Sequence, residues 1–409
     1  MFFDLKNCKV RFRAKEFQSS RKEILKMIKI KKKSKNPYYF SFLEQDTKSL
    51  KKISFNIYKE FTSFEKIVLI GTGGSSLGSK AILNAAFNDK VIFLENIDPA
   101  LLLKTLKNIK TKKLLLLIIS KSGETSEVLS LYQVITNYFS SLFTIKNNTI
   151  IITEKKNSYL YNISKSNNIR FIDHNPNIGG RFSCFSETGL IPLKLAGLNI
   201  NHIINVSEKT FDDCLNKNKY NFFDNITIFK HLINKKKYKG HVVISYQDSL
   251  RSLLQWYRQL WGESLGKKGK GIHFMPATGS VDQHSQLQMW LDGPNNLMYT
   301  IILPKKRKID YSLNDKMKAI PSYLNKKTLG NILNAMGDAT YKELVKSGRP
   351  VRIIYLEDDS LYPAIKLMSF LMLEVATLGL SLGINPFDQP AVERVKILTK
   401  KNLNKYAKN

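Results

Sequence analysis

A carboxylate, an imidazole and a guanidinium stand in this chain where proton transfer on an anionic substrate would need them. Glu263 lies at the head of the stretch GESLGKKGKGIHFMPATGSVDQHSQLQ (262–288), and His284 lies near its far end. The glycines and lysines between them leave little room for regular structure. The spacing places Glu263 just after a helix over 249–261. A carboxylate and a histidine held on loops over a basic floor suit proton transfer between neighbouring atoms of a negatively charged molecule. Arg181 follows Gly179-Gly180, so a tight turn presents its guanidinium, one of 11 arginines against 54 lysines. A cation fixed at such a junction is a charge stabiliser for an oxyanion. Ser120-Lys121-Ser122-Gly123-Glu124-Thr125 sets three hydroxyls and an ammonium at the start of a helix. Capping accounts for one hydroxyl, not for the set. The whole loop reads as a phosphate cradle without nucleotide specificity.

The elements that must position these groups follow from apolar runs. Residues 68–70 form a short strand, followed by Gly71, Gly73 and Gly74, then Ser75 and Ser76 at the start of a helix. Backbone N–H groups of such a strand–glycine loop–helix unit can hold an anion. Neither G-x-G-x-x-G nor G-x4-G-K-[ST] is present, so a dinucleotide or nucleotide fingerprint is not met. The uninterrupted run Leu114–Ile119 is what a parallel strand buried on both faces requires. Further strands are expected over 149–153, 170–173, 241–245, 297–303 and 351–355, with helices between them and a core helix over 361–384. Lys396 falls in the first turns of a last helix, after the rigid loop 385–390. This alternation specifies an α/β fold with two domains, each a mostly parallel sheet flanked by helices in a three-layer αβα sandwich. The expected division is an extension over 1–60 wrapping the first domain, a first domain over 61–204, a helical connector over 205–238, a second domain over 239–390 and a terminal helix over 391–409. Ligands then belong at the strand C-terminal ends, near where the domains face each other.

Composition narrows the function classes. A chain of 409 residues with 43% hydrophobic content is globular. Cys8, Cys184 and Cys214 form no CxxC pair and are odd in number, which argues for a reducing cytoplasm rather than a disulfide framework or zinc site. The N-terminal residues carry charges every few positions, and the 361–384 run includes Lys366 and Glu374, so neither a signal segment nor a membrane span is expected. The net charge of +32 comes from dispersed lysine, and runs such as 31–35 and 235–239 read as solvated faces. With few arginines to read bases or fork onto phosphates, no specific nucleic-acid partner is expected.

Taken together, GTGGSSLG (71–78), SKSGETSE (120–127), GGRFS (179–183), GESLGK (262–267) with DQH (282–284), and FDQPAVERVK (387–396) resemble the phosphoglucose isomerase family, whose members carry two sugar-isomerase (SIS) domains. The five blocks occur in the family's order and cover most of the chain. The resemblance implies aldose–ketose isomerisation of glucose 6-phosphate and fructose 6-phosphate through a cis-enediol(ate), with no cofactor and no metal. It implies Glu263 as the base moving a proton between C1 and C2, Arg181 as the stabiliser of the anion, and His284 and Lys396 as the ring-opening pair. It implies Ser120, Lys121, Ser122 and Thr125 as the phosphate loop, with Gly73, Gly74 and Ser75 beside it. It also implies a cytoplasmic homodimer in which His284 serves the partner's site. Three departures stand out: Thr72 replaces an aliphatic residue, Val128 replaces a threonine of some members, and Ala391 replaces a glycine. The alternatives are an isomerase that also takes mannose 6-phosphate, and a non-catalytic sugar-phosphate-binding protein of the same fold.

Overall fold

The computed structural model describes residues 1–10, 13–33, 40–140, 145–235, 237–313 and 321–406. Positions 34, 35 and 236 of the lysine runs lie outside them. The first part of the chain runs β1 (Phe2–Asp4), α1 (Ala14–Lys32), α2 (Thr47–Glu60), β2 (Lys66–Ile70), α3 (Leu77–Ala85), β3 (Val91–Leu94), α4 (Pro99–Lys107), β4 (Leu114–Ile119), α5 (Ser126–Tyr138), α6 (Ile145–Asn148), β5 (Thr149–Thr153), α7 (Tyr159–Ser166), β6 (Arg170–Asp173) and α8 (Glu187–Leu195). It continues through α9 (Ile200–Leu215), α10 (Phe222–Asn234), β7 (Gly240–Ser245), α11 (Arg251–Leu265), β8 (His273–Thr278), α12 (Gly279–Gln283), α13 (Leu287–Asp292), β9 (Leu297–Pro304), α14 (Leu329–Lys346), β10 (Val351–Leu356), α15 (Leu361–Ser381) and α16 (Pro390–Tyr406).

Two five-stranded sheets result. The first has the order β3-β2-β4-β5-β6 and is parallel throughout. The second has the order β1-β10-β9-β7-β8, parallel except for β1, which pairs antiparallel with β10. In each, the strand that opens the parallel set, β2 or β7, is flanked by the two that follow it. That arrangement creates a crevice at the C-terminal ends, where the connections leave in opposite directions. The strand alternation expected of an α/β fold is therefore present in both halves.

Side-chain alternation explains the layers. Ile67, Leu69, Leu115, Leu117, Ile150 and Ile152 face one core, while Val68, Ile70, Leu116, Ile118 and Ile151 face another, closed by Val128, Leu131 and Ile135 of α5. The first of these cores is continuous with the inner face of the second sheet through Val243, Ile302 and Ile354. Helices α3, α8, α11 and α15 fill the space between the sheets, with α3 packed on α11 and α11 on α15. The outer face of the second sheet is covered by α13 and α14. Helix α15, apolar enough for a membrane span by composition, is buried in this central layer.

Three sequence expectations need correction. The N-terminal segment wraps the first domain only in part: α2 packs on α8 and Glu60 pairs with Arg170, but β1 forms the edge of the second sheet and α1 packs on α10 and α15. A three-residue strand is too short to show a period. The helix before Glu263 does not stop at residue 261 but runs to Leu265, placing Glu263 inside it. A glycine inside a helix costs about 1 kcal/mol; complete burial of Leu260, Trp261, Ser264 and Leu265 outweighs Gly262. The stretch 262–288 is likewise not an irregular loop, since it contains β8 and α12. Pro276 conceals β8, and its proline is tolerated because β8 lies at the sheet edge.

Candidate functional site

The site is built where the C-terminal ends of β2 and β4 approach the last turn of α11. After β2 the chain makes a 3-10 turn at Gly73–Ser75, with Gly73 at φ +57°. A Cβ on Gly74 would stand 2.2 Å from the Gly180 carbonyl carbon, so only glycine lets this turn lie backbone to backbone on the Arg181 turn. A Cβ on Gly73 would fall 2.7 Å from Nε2 of Gln259. The glycine loop thus lies directly against the arginine turn on one side and α11 on the other.

Arg181 is 3% exposed and fully committed. Its Nε donates to Ser264 Oγ at 2.8 Å, and Nη1 donates to Gln389 Oε1 at 2.8 Å and to Glu263 Oε2 at 3.3 Å. Nη2 donates to the carbonyls of Pro386 at 2.5 Å and Asp388 at 2.9 Å. Burial draws the guanidinium's pKa down, and the Glu263 and Asp388 charges oppose it. Because Arg stays charged, the result is a fixed cation in a dry setting.

Glu263 remains 28% exposed at its side chain. Its Oε1 accepts from Gln259 Nε2 at 3.0 Å, one helical turn earlier on α11. One carboxylate oxygen is held by an amide, the other touches the guanidinium, and one side of the group is open. The loop before α16 is fastened to the same place: Lys267 Nζ donates to Asn385 O at 2.5 Å and pairs with Asp388 at 2.8 Å. Gln259, Ser264, Lys267 and Gln389 were not singled out in the sequence. The Gln259–Glu263 spacing of four would have been a signal had α11 been extended far enough.

The hydroxyl loop after β4 is compact. Ser120 Oγ and Thr125 Oγ1 are 2.9 Å apart, Ser122 Oγ lies 3.5 Å from Thr125 Oγ1, and Glu124 N donates to Ser122 Oγ. These hydroxyls cluster at the N-terminus of the 13-residue α5. Lys121 departs from the expected cradle. Its ammonium donates to the carbonyls of Pro176 at 2.8 Å and Ile178 at 2.9 Å and lies 3.7 Å from Glu154. Burial lowers its pKa, and the Glu154 charge opposes that.

His284 and Lys396 are not brought to this cluster within the chain. Asp282 caps α12 by accepting from Thr278 N, and Gln283 bonds Tyr246 and Thr340, which anchors α12 and leaves His284 exposed. Lys396 pairs with Glu393 at 2.6 Å on α16, whose residues are all exposed. Of the three departures, Ala391 lies in the first turn of α16 without a positive φ. Val128 is on the buried face of α5, in the core, and Thr72 has extended backbone.

A model of the family described as phosphoglucose isomerase matches residues 13–286. A glucose-6-phosphate isomerase of Campylobacter jejuni is 35% identical, over 83% of this chain and 86% of its own length. Among solved structures, a hypothetical protein of Thermus thermophilus superposes with TM-score 0.87 at 28% identity, covering 95% of this chain and 96% of that one. A glucose-6-phosphate isomerase of Chlamydia trachomatis superposes with TM-score 0.84 at 19% identity, covering 100% and 89%. At that identity the last likeness speaks for the fold alone.

Proposed function

Because the chain belongs to the phosphoglucose isomerase family, we propose that it interconverts glucose 6-phosphate and fructose 6-phosphate, with Glu263 as the base, in glycolysis and gluconeogenesis. The observation that carries this reading is the Gln259–Glu263–Arg181 arrangement: a carboxylate held at both oxygens, open on one side, against a buried guanidinium.

In the open-chain aldose, Glu263 takes the proton from C2. The C–H electron pair becomes the C1–C2 double bond, and the C1 carbonyl pair moves onto O1. A sugar α-proton is too weakly acidic to leave unless that charge is stabilised, and Arg181 supplies a cation needing no reorganisation. A proton passes from O2 to O1, the C1–C2 electron pair takes the first proton back at C1, and the pair on O2 closes to the C2 carbonyl. Well-placed acid–base groups contribute about 10²–10⁴-fold. Phosphate held by Ser120, Ser122, Thr125 and the Gly73-Gly74-Ser75 backbone adds binding energy that positions the carbons.

Ring opening is assigned to His284 and Lys396. Each is exposed and distant in its contacts from Arg181, and α16 presents Val392, Val395, Leu398 and Leu403 to solvent. A homodimer would cover that helix and let His284 enter the partner's site. Cys8, Cys184 and Cys214 are buried free thiols, which supports the cytoplasmic reading.

The test is a coupled assay. Fructose 6-phosphate is supplied, glucose 6-phosphate is read through its dehydrogenase, and chelator is present. Wild type is expected to turn over and Glu263→Gln to fail. Full activity in the variant removes Glu263 from the role; no turnover by folded wild type removes the isomerase reading.

A further inference from the structure

Between the hydroxyl loop and Arg181 lies a buried His–Glu pair that the proposed reaction does not use. Residues 174–178 run from the end of β6 to Gly179. His174 is 1% exposed; its N–H donates to Thr153 O at 2.9 Å, and its Nδ1 makes a short hydrogen bond to Glu187 Oε1. The acceptor is a carboxylate, so the imidazole donates. Glu187, in the first turn of α8 and 4% exposed, also accepts from Asn175 N at 3.0 Å. Asn175 closes the turn: its Oδ1 accepts from Asn177 N, and its carbonyl accepts from Ile178 N. From the other side Lys121 donates to the carbonyls of Pro176 and Ile178.

The short segment before the Gly-Gly-Arg turn is therefore gripped by two charged side chains. One comes from the hydroxyl loop, the other from the helix that follows Arg181. A buried carboxylate is costly unless charge-assisted hydrogen bonds satisfy it. Helix capping alone does not require a buried imidazole, whose Nε2 has no hydrogen-bond partner among the described residues. The directions of the bonds make structural sense as a clamp. Lys121 pulls the carbonyls of the turn toward the hydroxyl loop, and Glu187 pulls its amide and imidazole donors toward α8.

We propose that His174–Glu187 and Lys121 form a clamp that sets the Arg181 turn at a fixed distance from the hydroxyl loop, so that the guanidinium is in place when the phosphate is bound. This deepens, and rests on, the isomerase reading above. Neither His174 nor Glu187 touches reacting atoms; they are positioning residues, and the side chain of Lys121 is a tether. Displacement of a catalytic group by about 1 Å can cost about 10²-fold.

The experiment has two arms. In the first, kcat and KM for fructose 6-phosphate are measured for His174→Leu, His174→Asn, Glu187→Gln and Lys121→Met. We expect kcat to fall about 10–100-fold for His174→Leu and Glu187→Gln, with KM within about threefold. His174→Asn, which restores a donor near Nδ1, should recover most of the loss. In an Arg181→Lys background, Glu187→Gln should cost less than about threefold, because the group it positions has already been changed. An equal loss in both backgrounds, or a loss confined to KM, overturns the clamp. The second arm reads amide hydrogen exchange of residues 175–183, which needs no turnover. Exchange should quicken at least about tenfold in Glu187→Gln and His174→Leu, with β4 unaffected. Unchanged exchange overturns the clamp even if wild type proves inactive on this sugar, an outcome that would count against the isomerase reading instead. Should the Glu187 and His174 variants not fold, Lys121→Met, at a side chain 30% exposed, tests the same clamp from its other end by both readouts.

Discussion

Among the described residues, two buried arginines each pair with a glutamate, and the two pairs differ in what is done with the carboxylate. Arg352 of β10 and Glu374 of α15 are 1% and 0% exposed at their side chains. Both guanidinium ends reach Glu374, whose second oxygen also accepts from Tyr257 at 3.1 Å. Thr300 and Asn225 complete the arginine's partners at 3.1 and 2.8 Å. Arg181 is nearly as buried, yet its glutamate is a quarter exposed and touched at one point, 3.3 Å away. A carboxylate sealed in the interior has no accessible lone pair to offer a substrate proton. One held by an amide and a single guanidinium contact, with a face open, does. Burial of the cation is common to both; exposure of the anion separates a pair closed to solvent from one open to it.

Substitutions at the two pairs should therefore fail differently. Glu263→Gln should lower kcat by about 10²–10⁴-fold while leaving the urea midpoint within a few tenths molar of wild type. Glu374→Ala should do the reverse. It leaves a buried, unpaired guanidinium, at a cost of about 3–5 kcal/mol, seen as a lower denaturation midpoint with kcat of the folded fraction little changed. Similar activity losses per folded molecule at both sites would break the contrast. The double change Arg352→Met with Glu374→Leu should regain most of that stability, since removing both charges avoids the unpaired one; denaturant titration decides it. Gln259→Leu frees Glu263 Oε1 and should cost about fivefold in kcat, in line with one lost hydrogen bond of about 1 kcal/mol. Ala391→Gly should change activity less than twofold and stability by no more than about 1 kcal/mol, because that position is helical and needs no special backbone.

Much of the fold was legible because its signals are local. The Leu114–Ile119 run and the strands after it appear where apolar content required them. Strands β1, β3 and β8 carry no clear local signal: one is three residues long, one has mixed burial, and one contains Pro276. At the site, residue types identified Glu263, Arg181 and the hydroxyl loop, and the structure does bring the first two together. Gln259 lies outside every motif, and Ser264, Lys267 and Gln389 lie inside two of them but show their part only through contacts. Lys121 sat in the right loop, but its direction is set by carbonyls more than fifty positions away.

The sequence by itself determined the α/β alternation, the glycine turns and the chemical inventory of the site, because these depend on residue type and near-neighbour spacing. Only the tertiary structure decided that α11 runs through Gly262, that β1 crosses to the far sheet, and that Arg181 meets a glutamate 82 positions later. Those outcomes come from burying large apolar faces between two sheets. Such packing overrides a local helix breaker and fixes distances between side chains that no short window of sequence contains.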